Sequence, residues 1–498
     1  MRAEPLGVIA AGHPVCAQVG ADAMRSGGNA VDGAVAAMLA SFACEPLLTS
    51  LGAGGHMLVV EPGEEAVLLD FFVEAPGRGA DAKARATLVP VSVSFGDAIQ
   101  VFNIGPASVG TYGMAAGVCE ASSRFGRIPL GELVRPAAEL ARDGVALNVP
   151  QAYVIEILAG IVTSTPESAA LFAPAGHVVQ AGDVLRQPEL ADALERLGSE
   201  GAAPFYTGDI AAAVVEWLAE RGGIITAGDL ASYAVVDRSP IRVSYRGREV
   251  RTNPPPSAGG ILIAHALALL DATPGTPRYP KVVETMERTQ AERTPEFIEG
   301  LDDPEFVKRF LARRSSLGST THISVLDREG WACSVTCSNG SCSGVIVPGT
   351  GVHLNNMLGE QDLNPLGFHR HPPGRRMPSM MSPTAVLREG APELVLGSAG
   401  SNRIRSAILQ TIIRVIDDGL EAGDAVQAPR VHFEDGIVYA EPGIDTGALE
   451  RAGWAIGRFR ELNLFFGGVQ AAARDRHGRF SGGGDPRRGG AALVVSAG

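Results

Sequence analysis

Thr320 and Thr321 follow Gly318-Ser319 and precede His322, and this short run could support acyl-transfer chemistry. A threonine hydroxyl is a weak nucleophile until a base stands beside it. A threonine at a chain terminus carries its own base, an α-amino group whose reference pKa of ~7.7–8.0 lies near working pH. That amine exists at Thr320 only if the Ser319–Thr320 bond is cut. The same hydroxyl can cut it, by attacking the Ser319 carbonyl to give an ester that water then opens. Gly318 and Ser319 are small enough to admit the attack. The oxyanion formed needs donors. Gly397-Ser398-Ala399-Gly400-Ser401 is a glycine-rich turn ahead of a helical stretch, so the amides of Gly400 and Ser401 would face an anion near a positive helix end. Each feature also has an ordinary reading: threonine at a strand start reflects β-propensity, and a glycine turn joins a strand to a helix.

These residues must be held by a sheet. Ile323 to Asp327 and Trp331 to Cys337 read as two strands joined by an Asp-Arg-Glu-Gly turn, a hairpin with Thr320 at its entrance. Asn29 caps an Ala-rich apolar helix that runs to about Ala43. Gly52-Ala53-Gly54-Gly55 permits a tight loop into the strand that starts near His56, and Val67 to Phe72 is another strand. Helical periodicity marks Leu130 to Asp143, Leu185 to Leu197, Ile210 to Arg221, Ile261 to Leu270 and Asn402 to Asp417. Strand pairs are expected at Ile241 to Tyr245 with Glu249 to Thr252, and at Thr384 to Leu387 with Glu393 to Leu396. Residues 271–319, proline-bearing and then charge-rich, read as a peripheral, partly mobile segment that delivers the scissile bond. Strands and helices together imply a mixed, layered fold.

The chain has 498 residues, 45% hydrophobic and 19% charged, which is ordinary globular composition. A net charge of −13 removes the electrostatic case for nucleic acid or an anionic membrane. No uncharged run of ~20 apolar residues could span a bilayer. The first residues carry no apolar leader stretch, so a cytoplasmic location is expected. The six cysteines form no disulfide framework, and Cys333, Cys337 and Cys342 lack zinc spacing, so they are expected to be buried or wall-lining thiols. Nothing calls for a cofactor or a metal.

Gly-Gly-Asn-Ala-Val-Asp at 27–32, Thr-Thr-His at 320–322, Asn355-Asn356, Ser379-Met380 and Gly397-Ser-Ala-Gly400 occur in an order that resembles the γ-glutamyltranspeptidase family of N-terminal-nucleophile hydrolases. The resemblance spans nearly the whole chain. It implies an α+β fold, a four-layer αββα sandwich, and autocleavage into a large subunit, 1–319, and a small catalytic subunit, 320–498, that together form one unit. It implies Thr320 as nucleophile, Ser338 in the place of a second active-site threonine, and the amides of Gly400 and Ser401 as the oxyanion hole. His322 reads as structural. A homodimer of the processed heterodimer stays open.

The substrate clamp departs from the family. Phe72 stands where an arginine is expected, Gly340 for an asparagine, Met357 for a glutamine, Glu360 for an aspartate, and Met380 for the second of two serines, of which Ser379 remains. An arginine-to-phenylalanine change removes a charge-assisted fork for a carboxylate. Glutathione is therefore a doubtful substrate. Asn356 and Arg403 complete the candidate binding set, and Arg375, Arg376, Arg403 and Arg405 are arginines that could hold a different carboxylate. The details around Ser338, Asn356 and Arg403 look more like the branch with oxamate amidohydrolase and natural-product C–C hydrolases. The expected function is a self-processing hydrolase of a small acyl or oxalyl amide, or of a related C–C bond. A γ-glutamyl enzyme with a rebuilt clamp and an uncleaved binding scaffold are the alternatives.

Overall fold

A computed structural model describes residues 4–80, 87–94, 99–290, 320–364, 367–400 and 402–497. The scissile bond and Ser401 lie outside the described residues, so the expected autocleavage site and the second oxyanion donor have no structural account.

Two antiparallel sheets organise the chain. Their strands are β1 (Pro5–Ala11), β2 (Gly54–Val60), β3 (Val67–Phe71), β4 (Val236–Arg238), β5 (Ile241–Tyr245), β6 (Arg248–Thr252), β7 (Thr321–Asp327), β8 (Ala332–Ser338), β9 (Thr384–Arg388), β10 (Ala391–Ala399), β11 (Gly468–Arg474), β12 (Phe480–Gly484) and β13 (Ala491–Ser496). One sheet runs β13-β1-β7-β8-β2-β3-β4 and the other β12-β11-β10-β9-β6-β5. The expected hairpin is the centre of the first sheet, with Thr321 opposite Cys337 and Leu326 opposite Ala332.

Period-2 alternation assigns each strand residue to a face. Val8, Leu58, Leu68 and Leu326 of the first sheet meet Ala385, Leu387, Val395 and Ala472 of the second in one apolar cluster between the sheets. Their neighbours Ile9, Met57, Leu69, Ile323, Val325, Cys333 and Cys337 point the other way, into a core with α1 (Pro14–Arg25), α2 (Ala30–Cys44), α3 (Met114–Phe125), α4 (Leu130–Asp143) and α5 (Pro188–Glu200). On the far side, Val250, Val386, Leu394, Leu396 and Val469 pack against α6 (Ala258–Asp271), α7 (Tyr279–Gln290) and α8 (Arg403–Ile416).

Every residue of α2 is buried, which fits its Ala-rich, uniformly apolar sequence. Asn29 and Asp32 form a capping box at its start: the Asn29 side chain accepts from the Val31 and Asp32 amides, and Asp32 accepts from the Asn29 amide. One expectation needs correcting. Residues 279–290 are not peripheral: they form α7, and its Val282, Val283 and Met286 belong to the second core. The three valine and methionine side chains repeat at helical spacing beneath a charged face, and burial of that stripe fixes the helix.

Candidate active site

The register of the hairpin places the nucleophile candidate. Thr321 pairs with Cys337, so the preceding residue, Thr320, stands across from Ser338, whose other neighbour is Gly54. Thr320, His322, Ser324 and Leu326 share the face toward the second sheet; Thr321, Ile323 and Val325 face the helices. Thr320 is 2% exposed, and its Oγ1 has no hydrogen-bond partner. A buried hydroxyl without a partner is costly, and here it opens on a pocket. Thr320, Ser338, Phe72, Gly340, Met357, Glu360, Leu363, Ser379, Met380 and Met381 line it.

The structure thus brings together eight of the residues singled out from sequence: Thr320, Ser338, Phe72, Gly340, Met357, Glu360, Ser379 and Met380. Among the described residues that line the pocket, none is basic. Ser338 Oγ accepts from the Gly340 amide at 2.9 Å. Glu360 Oε1 accepts from both the amide and the hydroxyl of Ser341, at 3.0 and 3.1 Å. Asn356 stands just behind, its Nδ2 donating to Ser341 Oγ at 2.8 Å. Ser379 Oγ accepts from the Met381 amide at 2.9 Å, which sets the turn that presents Met380.

Phe72 is held from both sides of its peptide. Its amide donates to Asp70 Oδ1 at 3.0 Å, and its carbonyl accepts from Tyr233 Oη at 2.7 Å and from Arg376. The ring stacks on His56, with centroids 5.4 Å apart. The arginines proposed as carboxylate holders are otherwise engaged. Arg376 is buried, bonded to the carbonyls of Phe72 and Ala234 and stacked on Tyr233. Arg403 pairs with Glu434 at 3.1 Å and lies over the Phe465 ring at 4.1 Å, away from the pocket lining. Arg405 donates to Gln290 Oε1 at 2.6 Å. Arg375 does not line the pocket either.

Gly400 closes β10 at φ +119°, a conformation suited to glycine, and a Cβ there would sit 2.6 Å from Gly467 Cα. The Arg488 guanidinium reaches within 3.4 Å of that point.

His322 is a brace. Its Nδ1 bonds with Thr336 Oγ1 at 2.7 Å and its Nε2 with Ser324 Oγ at 2.8 Å. Ser324 and Ser334 in turn donate to the carbonyls of Gln470 and Leu396 in the other sheet. Desolvation lowers the ring to about 3, so it is neutral and structural at working pH.

Sequence reading missed Glu45. It follows the end of α2, is 1% exposed, and both carboxylate oxygens lie 3.3 Å from Thr321 Oγ1. Burial raises its carboxyl to about 7, against the opposing field of His13. Its adjacency to Pro46 after a long apolar helix was the available signal; only the fold puts it behind the strand that follows Thr320.

The sequence model described as Gamma-glutamyltranspeptidase matches residues 16–495. The chain belongs to this family. A glutathione hydrolase proenzyme of Escherichia coli (strain K12) is 31% identical to it, over 97% of this chain and 90% of that one. An acylase ACY 1 proenzyme of Pseudomonas sp. (strain SE83) is 30% identical, over 99% and 94%. Among solved structures, a cephalosporin acylase from Bacillus halodurans superposes with a TM-score of 0.84 at 25% identity, covering 99% of this chain and 96% of the other. The chain is therefore an enzyme, of a family whose relatives are hydrolases made as proenzymes. Among the described residues, no helix is long and apolar enough to cross a membrane.

Proposed function

We propose that this enzyme is a self-processing N-terminal threonine hydrolase that cleaves a small acyl amide through an ester on Thr320. The observation that carries the reading is the buried, unpartnered Thr320 Oγ1 facing Ser338 in a pocket with apolar walls. Processing divides the chain into 1–319 and 320–498. The two-faced burial of both sheets supports the four-layer αββα arrangement, with the site at the end of the inter-sheet layer. In turnover, the Thr320 amine takes the hydroxyl proton as Oγ1 attacks the substrate carbonyl. The Gly400 amide, with that of Ser401, receives the oxyanion. Collapse expels the leaving amine, which takes the proton, and water opens the ester by the same route. Ser338 orients the hydroxyl.

The pocket's chemistry narrows the acyl group. Phe72, Met357, Leu363, Met380 and Met381 offer apolar contact, and among the described residues Glu360 is the one charged group in the lining. An acyl chain that is apolar, or that carries a donor toward Glu360, fits this lining better than one ending in a carboxylate. This favours an acylase-type substrate over both the γ-glutamyl and the oxalyl-type readings, because a buried carboxylate without a partner costs several kcal/mol. A C–C bond next to a carbonyl would use the same nucleophile and remains the second reading for the bond cleaved.

The test is direct. The smaller fragment of purified protein should begin Thr-Thr-His-Ile, and Thr320→Ala should remain one chain without activity. A panel of neutral acyl anilides, oxamate and γ-glutamyl anilide should show turnover of the neutral amides. A kcat/KM near ~10⁴ M⁻¹s⁻¹ or above on the γ-glutamyl substrate, an ordinary enzyme efficiency, would overturn the substrate assignment.

A further inference from the structure

His13, Cys16 and Cys44 meet behind the nucleophile strand, on the face of the first sheet that packs on helices. His13 caps α1, Cys16 lies in its first turn, and Cys44 ends α2. Their nitrogen and sulfur ligand atoms all lie within 4.8 Å of one another. All three are buried, at 4%, 0% and 1% exposure. The Cys16 thiol and the His13 ring both act on the Cys44 sulfur. Glu45 follows in the chain, and its charge acts on both His13 and Cys16. The proposed mechanism uses none of these groups.

We propose that His13, Cys16 and Cys44 form a binding site for one thiophilic divalent cation of the zinc type, with the Glu45 carboxylate, which now lies against Thr321, turning to serve as fourth donor. Two sulfurs, one imidazole and one carboxylate match the ligand types and the number that zinc takes, and soft thiolates disfavour magnesium or calcium. His13, Cys16 and Cys44 sit at the ends of two helices packed on each other, so these three donors converge without refolding. Burial keeps competing water away. Two thiolates and a carboxylate around a dication leave one negative charge, and the Arg488 guanidinium lies close enough to act on Glu45 and offset it.

Binding takes the proton from each thiol that still holds one, and His13 binds as a neutral ring. Whichever ring nitrogen binds, Nδ1 ceases to accept from the Val15 amide, now 3.2 Å away. A Glu45 carboxylate turned to the metal also releases the Thr321 hydroxyl, directly beside Thr320. Metal occupancy thereby reaches the strand that carries the nucleophile.

The full-length chain, expressed with zinc supplied and washed with a weak chelator, should retain ~one zinc per chain. X-ray absorption at the zinc edge should show two sulfur neighbours at ~2.3 Å. The Cys16→Ser/Cys44→Ser double variant should lose the metal, and Cys119→Ser, which changes the half-buried cysteine outside the cluster, should keep it. Cadmium in place of zinc should give a thiolate-to-metal absorption band in wild type alone of these and in Cys119→Ser. Zinc content no higher than in the double variant, a zinc shell of oxygen and nitrogen only, or a Cys16–Cys44 disulfide in freshly isolated protein would each overturn the proposal. If the double variant does not fold, the wild-type zinc content and absorption spectrum decide alone.

Discussion

His322→Gln should flatten the acid sensitivity of the fold by an amount the structure sets. The imidazole is enclosed between the two sheets, and desolvation lowers it from 6.5 to about 3. A histidine with a depressed native pKa binds its proton more readily in the unfolded chain. Stability from this group is therefore complete well above pH 6.5 and is lost as pH falls toward the native value. Between pH 7.5 and 5.5 the loss is ~1.4 kcal/mol for this one ring. That figure barely depends on the native value, as long as it lies more than a unit below 5.5. His56, His353 and His432 are each buried and lowered to about 4, again chiefly by desolvation, so each adds a similar loss. Together the four amount to about 5–6 kcal/mol, comparable with the whole stability of many domains. The assay is urea unfolding at the two pH values, in a Thr320→Ala background so that every molecule is one chain. His322→Gln should be weaker than its parent at pH 7.5, by about 1–3 kcal/mol for the broken bonds. It should lose ~1.4 kcal/mol less than the parent on going to pH 5.5. Equal pH dependence in variant and parent would refute the picture of a neutral, desolvated brace.

Gly397→Ala puts a Cβ 2.3 Å from His322 Cε1 and 2.4 Å from its Nδ1; the urea midpoint should drop by an amount equal to about 1–3 kcal/mol. Arg376→Ala leaves buried Asp70 and Glu74 to their other partners, Arg238 and Arg78, and removes the donor to the Phe72 and Ala234 carbonyls, so thermal unfolding should show a loss of about 1–3 kcal/mol. Ser338→Ala should lower kcat roughly tenfold, the cost of one hydrogen bond in the transition state, with KM nearly unchanged; a raised KM at full kcat would assign Ser338 to substrate binding instead. Phe72→Arg should restore little γ-glutamyl turnover, because Met357 and Met380 still line the pocket.

Much of the site was legible because its geometry follows from register. Once Thr321 to Asp327 is read as a strand hairpinned to Ala332 to Ser338, Thr320 and Ser338 must be neighbours. Long, strongly periodic helices such as Leu130–Asp143 were equally plain. The last strands of the chain were not. β11 holds Ala471-Ala472-Ala473 and β12 holds Gly482-Gly483-Gly484, sequences with little β-propensity. They are strands because they pair with β10 and with each other in a buried sheet. The arginines misled for a related reason. Sequence places Arg376 and Arg403 next to motif residues, but only the fold shows that Asp70, Glu74 and Glu434 already face them. Likewise, Cys16 and Cys44 lie far apart in the chain and carry no ligand spacing. Packing of α1 on α2 is what brings them within reach of His13.

The division between kept machinery and altered clamp has a physical origin. The candidate nucleophile Thr320 stands at the entrance of β7, across from Ser338 at the end of β8, and the brace His322 lies one step into the hairpin, opposite Thr336, in the middle of a seven-stranded sheet. A change there shifts everything along the hairpin, and Gly397, packed against His322, leaves no slack. The proposed oxyanion donors are backbone amides, which survive substitution of their side chains. The pocket walls come instead from the end of β3, from the turns at 339–341 and 357–363, and from the segment at 379–381. Each can change a side chain while its main-chain bonds persist, as the Phe72 peptide does between Asp70, Tyr233 and Arg376. On the proposed function, substrate choice can therefore drift from γ-glutamyl amides toward apolar acyl groups without a change in the hairpin that carries Thr320 and Ser338. The buried Arg376 illustrates the limit of that drift: it lies next to Phe72, yet it is already committed to Asp70, Glu74 and two carbonyls, so it is a support for the wall and not a replacement for the lost clamp.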